Sequence, residues 1–285
     1  MFWKKIKYSL KRKKKIFEIS SNSELDLLYE TFQDEKLFSV DTEFDWRNTY
    51  FPILSLIQIG FKEKIFIIDC LKVNPKDTLQ FPLESSEYLK IFHAVRSDTT
   101  VIKNCLKINA KNIFDIQVAE SFLNNGVIAG YGSIVQKYTK QNLDKSETNS
   151  NWLKRPLNAN QITYAAEDVE YLIDIYNYQK KSLQKKSILE SVFKKSREEA
   201  CLGNKEIKLA RLEKRKKKLS KREQKIFLWR EEIAKIENVP PGFLFKDKDL
   251  KRLCNFKKNE NKLESKIMKI IGDTKWSQNF ITNFL

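Results

Sequence analysis

An apolar run, Leu37-Phe38-Ser39-Val40, closes on Asp41-Thr42-Glu43, and about 120 residues later Tyr164-Ala165-Ala166-Glu167-Asp168 stands inside a segment of helical period. This pair of short motifs constrains the chain more than any other feature. On a strand, residues i and i+2 face the same way, so Asp41 and Glu43 share a face. On a helix, i and i+4 share a face, so Tyr164 and Asp168 do too. Two such elements would bring three carboxylates and a phenol to one spot. Carboxylates crowded in this way repel one another unless a cation neutralises them, and hard oxygen donors suit Mg²⁺ or Mn²⁺. The pattern is that of a candidate two-metal site for phosphodiester cleavage.

Other chemistries find less support. Cys70, Cys105, Cys201 and Cys254 are widely spaced with no CxxC pair, and His93 is the one histidine of the 285 residues. A zinc site is therefore not expected, and a Ser-His-Asp or Cys-His hydrolase would have to use His93. The basic N-terminus lacks the apolar stretch of a secretory signal, and no apolar run approaches membrane-spanning length. A reducing, cytoplasmic setting without a membrane is the expectation, and no obligate protein partner is evident.

The net charge of +17 is concentrated in two short runs. Residues 1–15 hold eight Lys/Arg and no acid, and residues 205–222 hold ten Lys/Arg against two acids. Residues 16–204, by contrast, carry 23 basic and 26 acidic residues. Positive runs attract phosphate backbones by releasing counterions, so RNA or DNA is the expected partner.

Strands are predicted over Leu37–Phe44, Pro52–Ile59, Lys64–Asp69 and Leu89–His93, with a fifth, short one ending at Phe114-Asp115. The short connections among the first three favour antiparallel neighbours. Strands first, then alternating helix and strand, indicate an α/β fold with a mixed sheet flanked by helices. Ser97 is a candidate cap for a helix after the fourth strand. From Asn158 to about Lys186 the apolar period is near 3.6, with Asn158 as N-cap and Gln161 at the reciprocal position. A further helix, Ile188–Leu202, stops at Gly203-Asn204. Beyond the basic run, Trp229-Arg230, Val239-Pro240 and apolar residues at helical spacings predict a small all-α bundle. The expected division is a basic tail (1–19), a catalytic domain (20–203), a basic linker or helix (204–222) and the bundle (223–285).

Between the two opening motifs lie Thr49-Tyr50-Phe51-Pro52, Leu56-Ile57-Gln58, His93-Ala94 with Asp98, Phe114-Asp115-Ile116-Gln117, Leu143-Asp144-Lys145-Ser146, Trp152 and Arg155-Pro156-Leu157. From about residue 20 to about residue 180 this string, in order, closely resembles ribonuclease D, in the tyrosine-bearing subclass of the DEDD superfamily of 3′→5′ exonucleases. The C-terminal part resembles the HRDC domain. The resemblance implies a ribonuclease H-like sheet and adds Asp98 as a fourth carboxylate, in preference to Asp115. It implies two Mg²⁺ or Mn²⁺ ions held by Asp41, Glu43, Asp98 and Asp168, with Tyr164 orienting the attacking water. The implied substrate is RNA with a free 3′ end, tRNA precursors among them, and the implied product a nucleoside 5′-monophosphate. Lys145, Trp152, Arg155 and His93 are candidates for touching the substrate; for Trp152 and Arg155 the alternative is that they pin their loop. Trp46, Thr99 and Ile116 depart from the family's usual residues, and none of them is a presumed ligand.

Overall fold

The structure, a computed structural model, describes residues 14–144 and 146–285. The chain divides into two units, one formed by the chain up to Asp45 and by Ile53–Asn204, the other by Trp46–Pro52 and Lys205–Leu285.

The first unit runs β1 (Lys15–Ile19), α1 (Leu25–Asp34), β2 (Leu37–Asp45), β3 (Ile53–Gly60), β4 (Lys64–Asp69), α2 (Lys76–Glu84), β5 (Leu89–Phe92), α3 (Arg96–Leu106), β6 (Ile113–Asp115), α4 (Ile116–Leu123), α5 (Tyr131–Thr139), α6 (Ala159–Glu170), α7 (Leu172–Lys185) and α8 (Leu189–Gly203). Its six strands lie in the order β1-β4-β3-β2-β5-β6. The short connections make β2, β3 and β4 antiparallel neighbours, whereas β5 and β6 join in parallel through helical crossovers. Helices cover both faces of this mixed sheet.

Side-chain alternation sorts the core into two layers. Phe38 and Val40 of β2 join Ile57, Ile59, Phe66, Ile68 and the α3 residues Val101 and Ile102 on one face. Leu56, Ile65, Ile67 and Ile91 join Ala165, Ala166 and Val169 of α6 on the other. Gly60 permits the close approach of α6, since a Cβ there would lie 2.4 Å from Ser39 Oγ and 3.0 Å from the Val169 carbonyl. Gly203 has the same use where α8 passes α3: its Cβ would lie 2.4 Å from the Arg96 carbonyl.

Four expectations need correction. The basic tail does not extend to residue 19: Lys15–Ile19 pairs in parallel with β4, its Phe17 ring stacked on Phe66. Residues 1–13, which carry most of the N-terminal charge, lie outside the described residues. Ser97 does not cap α3; Val95 holds that place, and the Ser97 hydroxyl turns back to the Ala94 carbonyl. The long helix after Asn158 is interrupted at Tyr171, although its expected Asn158/Gln161 capping box is present. The stretch expected as a basic linker or helix separate from the bundle does contain a helix, α9 (Ile207–Glu213), but it clusters with the second unit.

That unit continues with α10 (Lys221–Ile236), α11 (Pro241–Leu244), α12 (Leu250–Asn255), α13 (Leu263–Ile271) and α14 (Thr274–Phe284). Ser220 and Glu223 form a capping box for α10, and Ile226, Phe227, Leu253, Ile267 and Phe280 pack its core. Tyr50 also belongs to this core; its amide and that of Phe51 donate to Asn238 Oδ1, and its ring stacks under Arg211. Among the described residues no helix is long and apolar enough to cross a membrane.

Candidate active site

Asp41 and Glu43 project from β2 on the face that α6 covers, because they alternate with Val40 and Thr42. Asp168 comes from α6, one turn beyond Tyr164. Carboxylate oxygens of Asp41, Glu43 and Asp168 all lie within 4.8 Å of one another. A register shift in the β2–β3 pairing directly after Glu43 leaves Ser55 of β3 without an opposite partner. Such a bulge bends the strand locally where the acidic residues stand.

Asp98 lies in the first turn of α3, 4% exposed, and takes the Thr42 hydroxyl on Oδ1 at 2.7 Å. It is outside the compact trio but electrostatically part of it. Burial, then the charges of Asp98, Asp168 and Glu43, push the Asp41 carboxyl well above the usual carboxylate range. Burial followed by Asp168 and Asp98 raises Glu43 to about 9. Burial, Glu167 and Asp98 raise Asp168 to about 8. Burial also raises Asp98 to about 7, against the Thr42 hydrogen bond. Without a cation these groups would hold protons near neutrality. The donor set is all oxygen, anionic and convergent, which fits a hard divalent ion.

The Tyr164 ring packs against Trp152 with centroids 5.9 Å apart. Burial, then Asp168, raises its phenol to about 12, so it remains a proton donor at neutral pH. That suits a group that orients water rather than one that removes its proton.

Asp115 is placed differently. Its carboxylate caps α4 through the amides of Gln117 and Val118, and it also takes the amides of Ala94 and Val95. It thus ties the β5–α3 turn, where Ala94 holds a φ of +57°, to the next helix. The His93 ring packs tilted against Tyr131, centroids 5.4 Å apart, and its Nε2 meets Gln117 Nε2 at 3.3 Å. Burial lowers its pKa, with Asp115 opposing the shift.

Trp152 and Arg155 hold the loop before α6. Trp152 is 3% exposed, so its ring has no open face for a base. Arg155 Nε and Nη2 grip both oxygens of Asp69 at 2.7 Å, Nη2 reaches Ser55 Oγ, and Nη1 donates to the carbonyls of Trp152 and Lys154. All three guanidinium nitrogens are engaged within the protein. Lys145 lies outside the described residues.

Sequence reasoning missed Thr42, Ser55 and Asp69. A hydroxyl between two carboxylates carries no signal of its own, and the Arg155–Asp69 pair joins residues 86 positions apart.

Over residues 16–184 the chain matches the model of a family described as 3′-5′ exonuclease. Ribonuclease D of Bartonella henselae is 32% identical over 267 residues, covering 86% of this chain and 65% of that protein. Ribonuclease D of Cronobacter turicensis is 36% identical over 157 residues, covering 55% of this chain and 42% of that protein. The chain therefore spans less than two thirds of the length of either relative. The crystal structure of Escherichia coli RNase D, described as an exoribonuclease involved in structured RNA processing, has a similar fold. Its TM-score is 0.83, over 94% of this chain and 74% of that one, at 24% identity. The chain belongs to the 3′-5′ exonuclease family, and within that family it is similar to ribonuclease D.

Proposed function

We propose that this protein is a metal-dependent 3′→5′ exoribonuclease that releases nucleoside 5′-monophosphates from RNA with a free 3′ end, tRNA precursors and small structured RNAs among its substrates. The observation that carries this reading is the convergence of Asp41, Glu43 and Asp168 within 4.8 Å, next to a phenol that stays protonated. Asp41, Glu43, Asp98 and Asp168 would hold two Mg²⁺ or Mn²⁺ ions. Bound there, such ions would supply a nucleophile from water at neutral pH and stabilise the leaving 3′-oxygen. Tyr164 would orient the attacking water by donating or accepting a hydrogen bond. Thr42 would aim Asp98, Asp115 would hold the turn that precedes it, and the Arg155–Asp69 pair would hold the loop that leads into α6.

The helical unit, HRDC-like in this reading, would contribute RNA affinity. Residues of the basic run, Arg211, Lys214 and Arg215, line a cavity of about 450 Å³ together with Arg230 and Lys246. Glu231 and Asp247 of the same lining pair with Arg211, Arg215 and Arg230, which leaves Lys214 and Lys246 to meet a phosphate backbone without reading its sequence. Four cysteines without a disulfide among them suit the reducing cytoplasm.

The test is incubation of labelled RNA and DNA oligomers, with the 3′ end free or blocked, with Mg²⁺ or with EDTA. Stepwise loss of 5′-monophosphates from free-ended RNA, abolished by EDTA and by the 3′ block, is expected. Cleavage that starts internally or at the 5′ end would overturn the proposal, and a preference for DNA would replace its substrate.

A further inference from the structure

The interruption between α6 and α7 falls within a turn of Asp168. A single residue, Tyr171, separates the two helices. In an unbroken helix the Tyr171 amide would donate to the carbonyl of Glu167, four residues back. Here the Tyr131 hydroxyl, from the first residue of α5, donates to that carbonyl at 2.8 Å. The Tyr171 amide bears on the same phenol, holding its pKa down against burial. The hydroxyl is thus inserted into one rung of the helical ladder, an established cause of helix breaks. Asp168 lies within the turn that this rung spans.

The carbonyl on the other side of Asp168 is also held from outside the helix. Ser39 Oγ lies 2.9 Å from the Val169 carbonyl and 3.1 Å from the Gly60 carbonyl. Ser39 precedes Asp41 by two residues on the same face of β2. One strand therefore supplies two carboxylates and also grips the backbone beside the third. Gly60 leaves room for this contact, as its missing Cβ would meet both Ser39 Oγ and Val169.

We infer that Tyr131 and Ser39 are positioning residues for metal binding. Their hydroxyls hold the two carbonyls that flank Asp168 and so fix its carboxylate relative to Asp41 and Glu43. The inference rests on the reading of these carboxylates as a metal site. The Tyr131 phenol faces that site: after burial, the charges of Asp168 and Asp41 are what push it upward. The physical logic is that of outer-sphere partners generally. Ligand geometry is set by the groups that restrain the ligands, and their loss lowers metal affinity by about 10–100-fold.

Tyr131→Phe keeps the ring and removes only the inserted hydroxyl. The Tyr171 amide and the Glu167 carbonyl can then rejoin directly, so the fold survives while Asp168 shifts. Ser39→Ala removes the other restraint with a smaller side chain in a site that already lacks a Cβ at Gly60.

The experiment is calorimetric titration of the full chain and both variants with Mn²⁺, with thermal melting and amide exchange at residues 167–173 on the same samples. The expected result is Mn²⁺ affinity lowered by about tenfold or more in each variant, with the melting temperature of Tyr131→Phe held or raised. Amide exchange at Tyr171 should change in Tyr131→Phe. Turnover on RNA should recover as Mn²⁺ is raised, with KM for RNA unchanged. A merely structural role would lower the melting temperature and leave metal affinity alone. Unchanged Mn²⁺ affinity in both variants would overturn the inference. No Mn²⁺ binding by the unaltered protein would overturn the metal reading itself, and the inference with it.

Discussion

Two strand-to-helix junctions stand side by side in the sheet, and each buries an aspartate. At the β5–α3 junction it is Asp98; at the β6–α4 junction it is Asp115. Both are almost fully buried, and burial raises the pKa of both. Their surroundings differ. Asp115 accepts amides from four residues in two segments, and these bonds, with the His93 ring beside it, hold its pKa down against burial. Asp98 leans on Thr42, between the two acids of β2, and its charge pushes up Asp41, Glu43 and Asp168. A buried carboxylate surrounded by donors is satisfied by the protein. One surrounded by carboxylates calls for a cation.

The largest effect is expected at the centre of the acidic cluster. Asp41→Asn should lower turnover on RNA by more than about 100-fold, the upper range for loss of an outer partner, since a direct ligand is removed. Steady-state kinetics beside circular dichroism would check this; near-normal turnover in a folded variant would remove Asp41 from the site.

The aspartate pair sharpens the contrast. Asp98→Asn should abolish most turnover and leave the metal-free melting temperature level or higher, because one repelling charge is gone. Asp115→Asn should instead lower stability by about 1–3 kcal/mol, the cost of buried donors left poorly satisfied, with a lesser loss of turnover. Chemical denaturation and single-turnover kinetics on both variants would decide it. The reverse outcome would exchange the two roles.

A third effect is pH-dependent. The folded values of about 7 for Asp98, 8 for Asp168 and 9 for Glu43 all lie above the ordinary 3.8 or 4.5 of these residues. A group raised in this way favours folding below its unfolded pKa, and that contribution is lost as pH rises through the folded value. Metal-free protein should therefore melt at progressively lower temperature from about pH 5 to pH 9, and Mg²⁺ should flatten the trend. A melting temperature that climbs over this range without metal would contradict the electrostatic account.

The smallest effect belongs to the basic run. Replacing Lys214, Arg215, Lys216, Lys217 and Lys218 by alanine should weaken RNA binding and reduce the slope of log affinity against log salt, with kcat unaltered. Equal salt slopes for the variant and the parent would leave the run as a solvated surface.

The strands of the central sheet and the carboxylate trio were legible because both depend on local periodicity. Lys64–Asp69 is predicted and observed with the same ends. What escaped depended on distant partners. β1 is short and emerges from a lysine-rich stretch, and only its pairing with β4 makes it a strand. The helix break at Tyr171 has no Gly or Pro to announce it; a tyrosine 40 positions away is inserted there. Trp152 and Arg155 have the residue types of RNA contacts, and only their burial and their bonds to Ser55 and Asp69 reveal the holding role. The place of Trp46–Pro52 in the helical unit likewise follows from tertiary contacts such as Asn238 with Tyr50.

The claim on which the rest depends is that the acidic cluster holds a divalent cation in place of protons. Proton release on Mn²⁺ binding measures this directly, by calorimetry at pH 7 in buffers of different ionisation enthalpy. With Glu43 and Asp168 raised to about 9 and 8, the metal-free site carries protons at that pH, and binding must expel them. Net proton release by the unaltered protein is expected, reduced in Asp41→Asn along with affinity. Binding without proton release, or no binding at all, would contradict it.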